Sequence, residues 1–495
     1  MIVAMEPTLQ RTDAITAGED VATENARLAS GLALHRQARY AEAAEAFRQA
    51  TASNPSSAQA WGNFAVALAL CGRTDESLDA AARAVTLAPH VAMLHSNHGD
   101  ALMASGRFEA ARDAYGRADA LGPGHPATLN KLACAQRMLG ELDRPEALFR
   151  RALALAPQFG LALVNLGSVE AVRGNYGEAV SLLSRARAAP GLPADARESV
   201  AAAMTLVGEH RRLRPALKDA IEGDDPARLA AAVAATPAAL VIADAGHLAQ
   251  LAAIARELRA IGDEDIVADA AASWWPAIEA HFTTHGEAAP ADMRATVDWL
   301  ENGAASAAFA DNARTADLVR IARAVERRRA RRDIPRQPAD GPAGETLVRY
   351  WHAALTWHRP ECVPGQFKLL PNLTAATPSH QFIAPLAVAG TLRAFFADIY
   401  PTVPPGLARG ALVMRAVGSC HPFFDGNGRT GRFLLNAELE AAGRHPIVLF
   451  SDFSARYRAA IAAERENVDM SGLVAMLRDA ARRTAEVVRV LRESR

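Results

Sequence analysis

The chain has 495 residues, 50% hydrophobic and 22% charged, with 54 Lys and Arg against 55 Asp and Glu. A length worth about three domains, with that apolar content, excludes a disordered chain, and a net charge of −1 gives no global field for nucleic acid. Cys71, Cys134, Cys362 and Cys420 are too scattered for a disulfide scaffold or a paired-cysteine metal site.

Residues 1–23 read as a tail, without the basic and apolar regions of a secretory signal. The most apolar stretch, 230–245, is broken by Pro237 and too short to span a bilayer. A cytoplasmic protein with no membrane and no nucleic-acid partner is expected. From residue 24 a repeat takes over. Pro55, Pro89, Pro123 and Pro157 recur every 34 residues. In phase with them stand Ala50, Ala84, Ala118 and Ala152, then Phe47, Ala81, Tyr115 and Phe149. Gly31, Ala65, Gly99, Ala133 and Gly167 keep the same step. A small residue at a close helix crossing, an aromatic in the groove and a proline ending the second helix make a tetratricopeptide pattern. Residues 24–213 are therefore expected to hold five repeats and a capping helix over 194–212, which covers the apolar face of the last repeat.

Asn63, Asn97, Lys131 and Asn165 are also 34 apart, with Asn130 beside the lysine. They fall on the first helix of each repeat, on the side expected to face a concave groove. An amide both donates and accepts, so such a series can pair with the backbone of an extended peptide, or simply solvate a helix face. It resembles the asparagine ladder of O-GlcNAc transferases, although no glycosyltransferase domain follows.

Residues 214–342 read as a helical connector with amphipathic stretches. The histidine pairs His95 and His98, and His281 and His285, lack the glutamate of a zinc helix and read as ordinary core or surface residues. The arginine run 326–332 reads as a solvated helix end. The Pro- and Gly-rich shift after it marks the start of a last domain, 343–495.

Within that domain, residues 421–432 read HPFFDGNGRTGR. A helix ends before it and an apolar helix begins near Thr430. Gly426, Asn427 and Gly428 form a turn that can aim several N–H groups at phosphates, with a helix N-terminus behind. Asp425 offers a hard oxygen for Mg²⁺, and Arg429 and Arg432 bring planar charge three residues apart. His421 is the side chain suited to taking a hydroxyl proton near neutral pH. These parts suit phosphate transfer; a glycine-rich turn with incidental charges is the bland alternative.

The segment is similar to the Fic family signature, H-x-F-x-[D/E]-G-N-G-R-x-x-R, at every specified position, and the resemblance covers roughly residues 343–450. It implies an all-α domain with a small β-hairpin flap, and hence an all-α protein: repeat superhelix, helical connector, Fic-like domain. It implies transfer of AMP from ATP, with Mg²⁺, to a Ser, Thr or Tyr hydroxyl of a target protein that the repeats recruit. His421 would be the base, Phe423 an anchor in the core, and Asp425 the Mg²⁺ ligand. Gly426, Asn427, Gly428, Arg429 and Arg432 would bind the nucleotide's phosphates. Transfer of UMP or phosphocholine, and a non-catalytic nucleotide-binding scaffold, are the alternatives; the Gly-Arg ending argues against the kinase branch. The stretch with Gly365, Phe367, Lys368 and Phe382 resembles the target-binding flap, with Lys368 where many members have Arg. Residues 296–303 resemble the inhibitory helix, whose Glu301 would pair with Arg432 and, by aiding a water, remove AMP. Val297 stands where the pattern has Ser or Thr, so a plain surface glutamate is the other reading. Members of the family can be regulated by homodimerisation.

Overall fold

A computed structural model describes residues 19–139, 143–192, 194–263, 266–267, 275–285, 313–330, 338–359, 362–369, 382–450, 452–453, 456–457, 460 and 469–493. Among the described residues the regular elements are helices, and no strand occurs. No helix there is long and apolar enough to cross a membrane. The described residues fall into two compact units, one up to Met204 and one from Thr205.

In the first unit, helices pair in succession: α1 (Glu19–Arg36) with α2 (Tyr40–Ser53), α3 (Ala58–Leu70) with α4 (Thr74–Leu87), and α5 (Ala92–Ala104) with α6 (Phe108–Leu121). α7 (Pro126–Met138) pairs with α8 (Asp143–Leu155), and α9 (Gly160–Arg173) with α10 (Tyr176–Ala188). The repeat's periodic residues have the roles their size suggests. A Cβ on Gly31 would lie 2.5 Å from the Phe47 ring, and one on Gly99 would lie 2.5 Å from the Tyr115 ring. Each aromatic thus fills the space its glycine leaves open. Gly72, Gly106 and Gly174 turn the chain between paired helices at φ of +75°, +75° and +84°. α11 (Ala194–Glu222) is longer than the expected cap. It continues through Pro215 and across the division between the units at Met204.

The second unit contains α12 (Pro226–Ala234), α13 (Ala245–Leu258), α14 (Trp275–His285), α15 (Ala313–Ala330) and α16 (Gly341–Thr356). It continues with α17 (Val388–Ala394), α18 (Leu407–Cys420), α19 (Asn427–Ala441) and α20 (Ser471–Glu493). Leu217, Ile254, Trp275 and Val325 share one core with Trp351, Phe396, Leu412 and Leu477. The connector and the last domain expected from the sequence are therefore built as one body. α18 and α19 approach closely because Gly410 leaves room for Leu435, whose side chain would lie 2.5 Å from a Cβ there.

Within the arginine run, Arg328 departs from the expected solvated end. Arg328, buried in α15, donates from Nη1 and Nη2 to the Glu279 carboxylate at 2.8 and 2.7 Å. Its Nε and Nη2 donate to Glu440 of α19 at 2.9 and 3.0 Å, and its guanidinium lies 4.3 Å from the Phe433 ring centre. Trp275 Nε1 and Asn436 Nδ2 each donate to Glu279 at 3.0 Å. Burial works to raise the Glu279 carboxyl, but Arg328 outweighs it and holds the group below the usual range.

Candidate active site

α18 runs to Cys420, and His421 follows in the left-handed region, at φ +46° and ψ +60°. A side chain with a Cβ is costly there, so the neighbours must hold it. The loop then folds onto Asn427. The amide of Asn427 accepts from Phe423 N–H at 2.9 Å and donates to Phe423 O at 2.9 Å. Both ends of the amide are thereby engaged in closing the loop, so the side chain of Asn427 is a staple and not a phosphate ligand. Gly426, at φ +82°, is the residue before α19, and Thr430 N–H and Oγ1 both donate to its carbonyl.

Beneath the loop lies His352 of α16. Its Nδ1 accepts from Gly365 N–H at 2.8 Å, so the proton sits on Nε2, which donates to Asp425 O at 2.8 Å. The imidazole stacks on the fully buried Phe423, with ring centres 3.6 Å apart. Burial pushes His352 down to about 4. A Cβ on Gly426 would meet His352 Nε2 at 2.9 Å, which adds a packing reason to the φ that already demands glycine. Sequence alone does not mark His352: one histidine on an apolar helix face carries no signal of its partners.

Asp425 keeps 57% of its side chain exposed, with Arg359 Nη2 3.5 Å away and Gly426 N–H donating to Oδ1 at 2.6 Å. Among the described residues no group of three acidic, histidine or cysteine side chains forms a metal cage. One open carboxylate fits Mg²⁺ that is held largely by phosphates and water. Arg429 pairs with Asp317 of α15 at 3.3 Å, and its buried Nη1 has no partner among the described residues. Asp317 is shared with His358. Burial works to raise the Asp317 carboxyl, but the His358 hydrogen bond and the charge of Arg429 hold it below the usual range. Burial, then the like charge of Arg429, lowers the Arg432 guanidinium to about 10. No carboxylate pairs with Arg432 among the described residues. Glu301 and the rest of 296–303 lie outside the described residues.

The flap positions differ from the expectation. No strand forms over 362–369 or 382–384, and 370–381 lie outside the described residues. Gly365, Phe367 and Lys368 are buried. They pack against the loop: Lys368 N–H donates to Pro422 O at 2.8 Å. Phe382 stacks on His421, with ring centres 4.2 Å apart. The segment is held from below by α11, where His210 Nε2 donates to Phe367 O at 2.7 Å.

Burial pushes His210 down to about 3, so the folded protein withholds a proton that the unfolded histidine, near 6.5, accepts. Stability should therefore fall as pH drops below about 6.5, by about 1.4 kcal/mol per pH unit for this histidine, with His352 acting in the same direction. Urea melts at about pH 7.5 and about pH 5.5 would check this; equal stability at both would refute it.

In the first unit the asparagine series is buried: Asn63 is 1% exposed, Asn97 6% and Asn165 1%. Asn165 Nδ2 donates to Asn130 Oδ1 at 3.0 Å, and Lys131 Nζ donates to Asp100 at 2.7 Å. The expected open ladder is thus corrected, because the series is buried, with Asn165 and Lys131 bonded to side chains of the neighbouring repeats.

Family models match these two regions separately. The tetratricopeptide repeat family matches residues 28–92, 96–158 and 130–193, and the Fic/DOC family matches 343–439. The chain joins tetratricopeptide repeats to a Fic/DOC domain. A comparison with curated proteins finds no match. Among solved structures the chain is similar to Pseudomonas aeruginosa pilF, at 17% identity over 44% of this chain and 91% of that one, with a TM-score of 0.34. It is also similar to a thermophilic tetratricopeptide protein of Thermus thermophilus, at 22% identity over 36% and 97%, with a TM-score of 0.33. Its Fic/DOC domain places its chemistry among transfers of nucleotide or phosphate-containing groups, and its repeats are of a kind that generally mediates protein–protein interaction.

Proposed function

We propose that this protein transfers AMP from ATP to a Ser, Thr or Tyr hydroxyl of a target protein held by the repeats. The observation that carries the reading is the pair Arg429 and Arg432 on the first turns of α19. One has a buried N–H without an acceptor, and neither the loop nor the core supplies Arg432 with a carboxylate among the described residues. Half-buried guanidinium groups in that state call for an anion, and a polyphosphate at a helix N-terminus supplies one.

His421 stands where the chain passes from α18 into the motif loop. Its imidazole takes the proton of the target hydroxyl, whose oxygen then attacks the α-phosphorus. An O–P bond forms as the bond to pyrophosphate breaks, and pyrophosphate leaves with the electron pair. Arg429 and Arg432 hold the β- and γ-phosphates and disperse the charge of the leaving group. Mg²⁺ on Asp425 would neutralise phosphate charge. Arg429 keeps Asp317 on Nη2 and offers Nη1 to phosphate, so Asp317 orients the grip.

The test is incorporation of label from α-labelled ATP into protein, with Mg²⁺, in host lysate and with the purified protein alone. CTP, GTP, UTP and CDP-choline run in parallel. Labelled target with ATP is the expected result. Label from UTP or CDP-choline alone would move the reaction to UMP or phosphocholine, and nucleotide binding without any transfer would leave a scaffold.

A further inference from the structure

We propose that Lys368 is a positioning residue that holds His421 in its reactive orientation by gripping carbonyls on both sides of it. The inference rests on His421 being the base. Lys368 donates twice: its backbone N–H to Pro422 O at 2.8 Å and its Nζ to Cys420 O at 3.2 Å. Those carbonyls lie one residue after and one residue before His421. Rotation about φ or ψ of His421 swings one carbonyl against the other. A single residue that binds both therefore restricts the two angles that aim the imidazole. Such restraint is needed, since φ of +46° is a conformation that a residue with a Cβ does not keep unaided.

The same residue reaches the imidazole from the side. Lys368 Nζ lies 5.6 Å from the centre of the Phe382 ring, and that ring stacks on His421. Lys368 thus touches the backbone that carries His421 and the aromatic that covers it. Its burial is otherwise hard to account for. The side chain is 2% exposed, no carboxylate pairs with it among the described residues, and burial pushes its amine down to about 7. An interior that needed only packing would do better with methionine, which fills the same length at no desolvation cost.

Lys368→Met separates the two roles, because it keeps the stem and the backbone N–H and removes only the Nζ donor. With AMP transfer as the readout, kcat should fall about 10–100-fold. KM for ATP and the nucleotide Kd should stay within about twofold, and Tm should not drop with kcat. Wild-type kcat in the variant would overturn the inference. So would a loss of kcat that is matched by loss of Tm and of nucleotide binding, since that is what a merely structural residue does. If Lys368→Met does not fold, Lys368→Gln, a shorter neutral donor, is read by the same criteria. A second measurement does not depend on turnover: the ¹³Cε1 resonance of His421, assigned with His421→Ala. One sharp signal in the wild type and a broadened or split one in the variant is expected, and an identical signal in both refutes the clamp. If wild type transfers nothing from any donor, the proposed activity fails, while the resonance still decides the role of Lys368.

Discussion

His421→Ala is expected to lower AMP transfer by about 10²–10⁴-fold, the usual effect of removing a positioned base, without loss of nucleotide binding. The two consequences separate because the loop does not depend on the imidazole for its shape. The Asn427 amide closes it on the Phe423 backbone, and Phe423 is anchored on His352. Arg429 and Arg432, proposed to hold the phosphates, sit beyond that staple, on α19. One complication is the backbone: alanine at φ +46° is strained, as any residue with a Cβ is, by about 1–2 kcal/mol. His421→Asn is therefore the better control, since asparagine visits the left-handed region readily and is no base near neutral pH. Label incorporation and calorimetric titration with ATP check both parts. Transfer by His421→Asn at the wild-type rate would remove the histidine from the chemistry.

Arg328→Met should cost about 3–5 kcal/mol of stability in the second unit, because it leaves buried Glu279 without a cation and Glu440 with Arg329 alone. Glu440 keeps Arg329, whose Nη1 donates to it at 3.1 Å, whereas Glu279 keeps only the neutral donors Trp275 and Asn436 and is the more exposed to the loss. Replacing all three charged residues by apolar ones of similar volume should recover much of it, since the pair itself contributes little beyond cancelling its own desolvation. Urea unfolding followed by tryptophan fluorescence reads the transition, with Trp275 inside the cluster. An unchanged midpoint for Arg328→Met would mean that the carboxylates find water or take up protons at little cost.

The repeats were legible because their signal is local and recurs: a glycine or alanine meets an aromatic at a fixed separation, as Gly31 meets Phe47. The motif was legible for a similar reason, since its turn and arginines lie within twelve consecutive residues, although the loop-closing role of the Asn427 side chain was not. Long-range pairings were not. Nothing in the run announces that Arg328 turns inward to Glu279 and Glu440, with Arg329 also reaching Glu440, because solvated and buried arginines look alike in sequence. His352, Asp317 and Lys368 each act on residues more than 50 positions away. The asparagine series misled for the opposite reason. Its regular spacing fixed a face of the repeat helices correctly, but spacing does not say whether that face is open or packed on the next repeat.

The core that runs from Leu217 through Trp275 and Val325 to Leu477 bears on how this chemistry travels between proteins. The stretch recognised as Fic/DOC, 343–439, begins after the helices that supply Arg328, Asp317 and the support under Phe367. Transplanted alone, it would carry every motif residue and lack the wall behind them. The inheritable piece in this chain is longer than its signature. A shuffling event, natural or engineered, has to move the second half of α11 and everything after it.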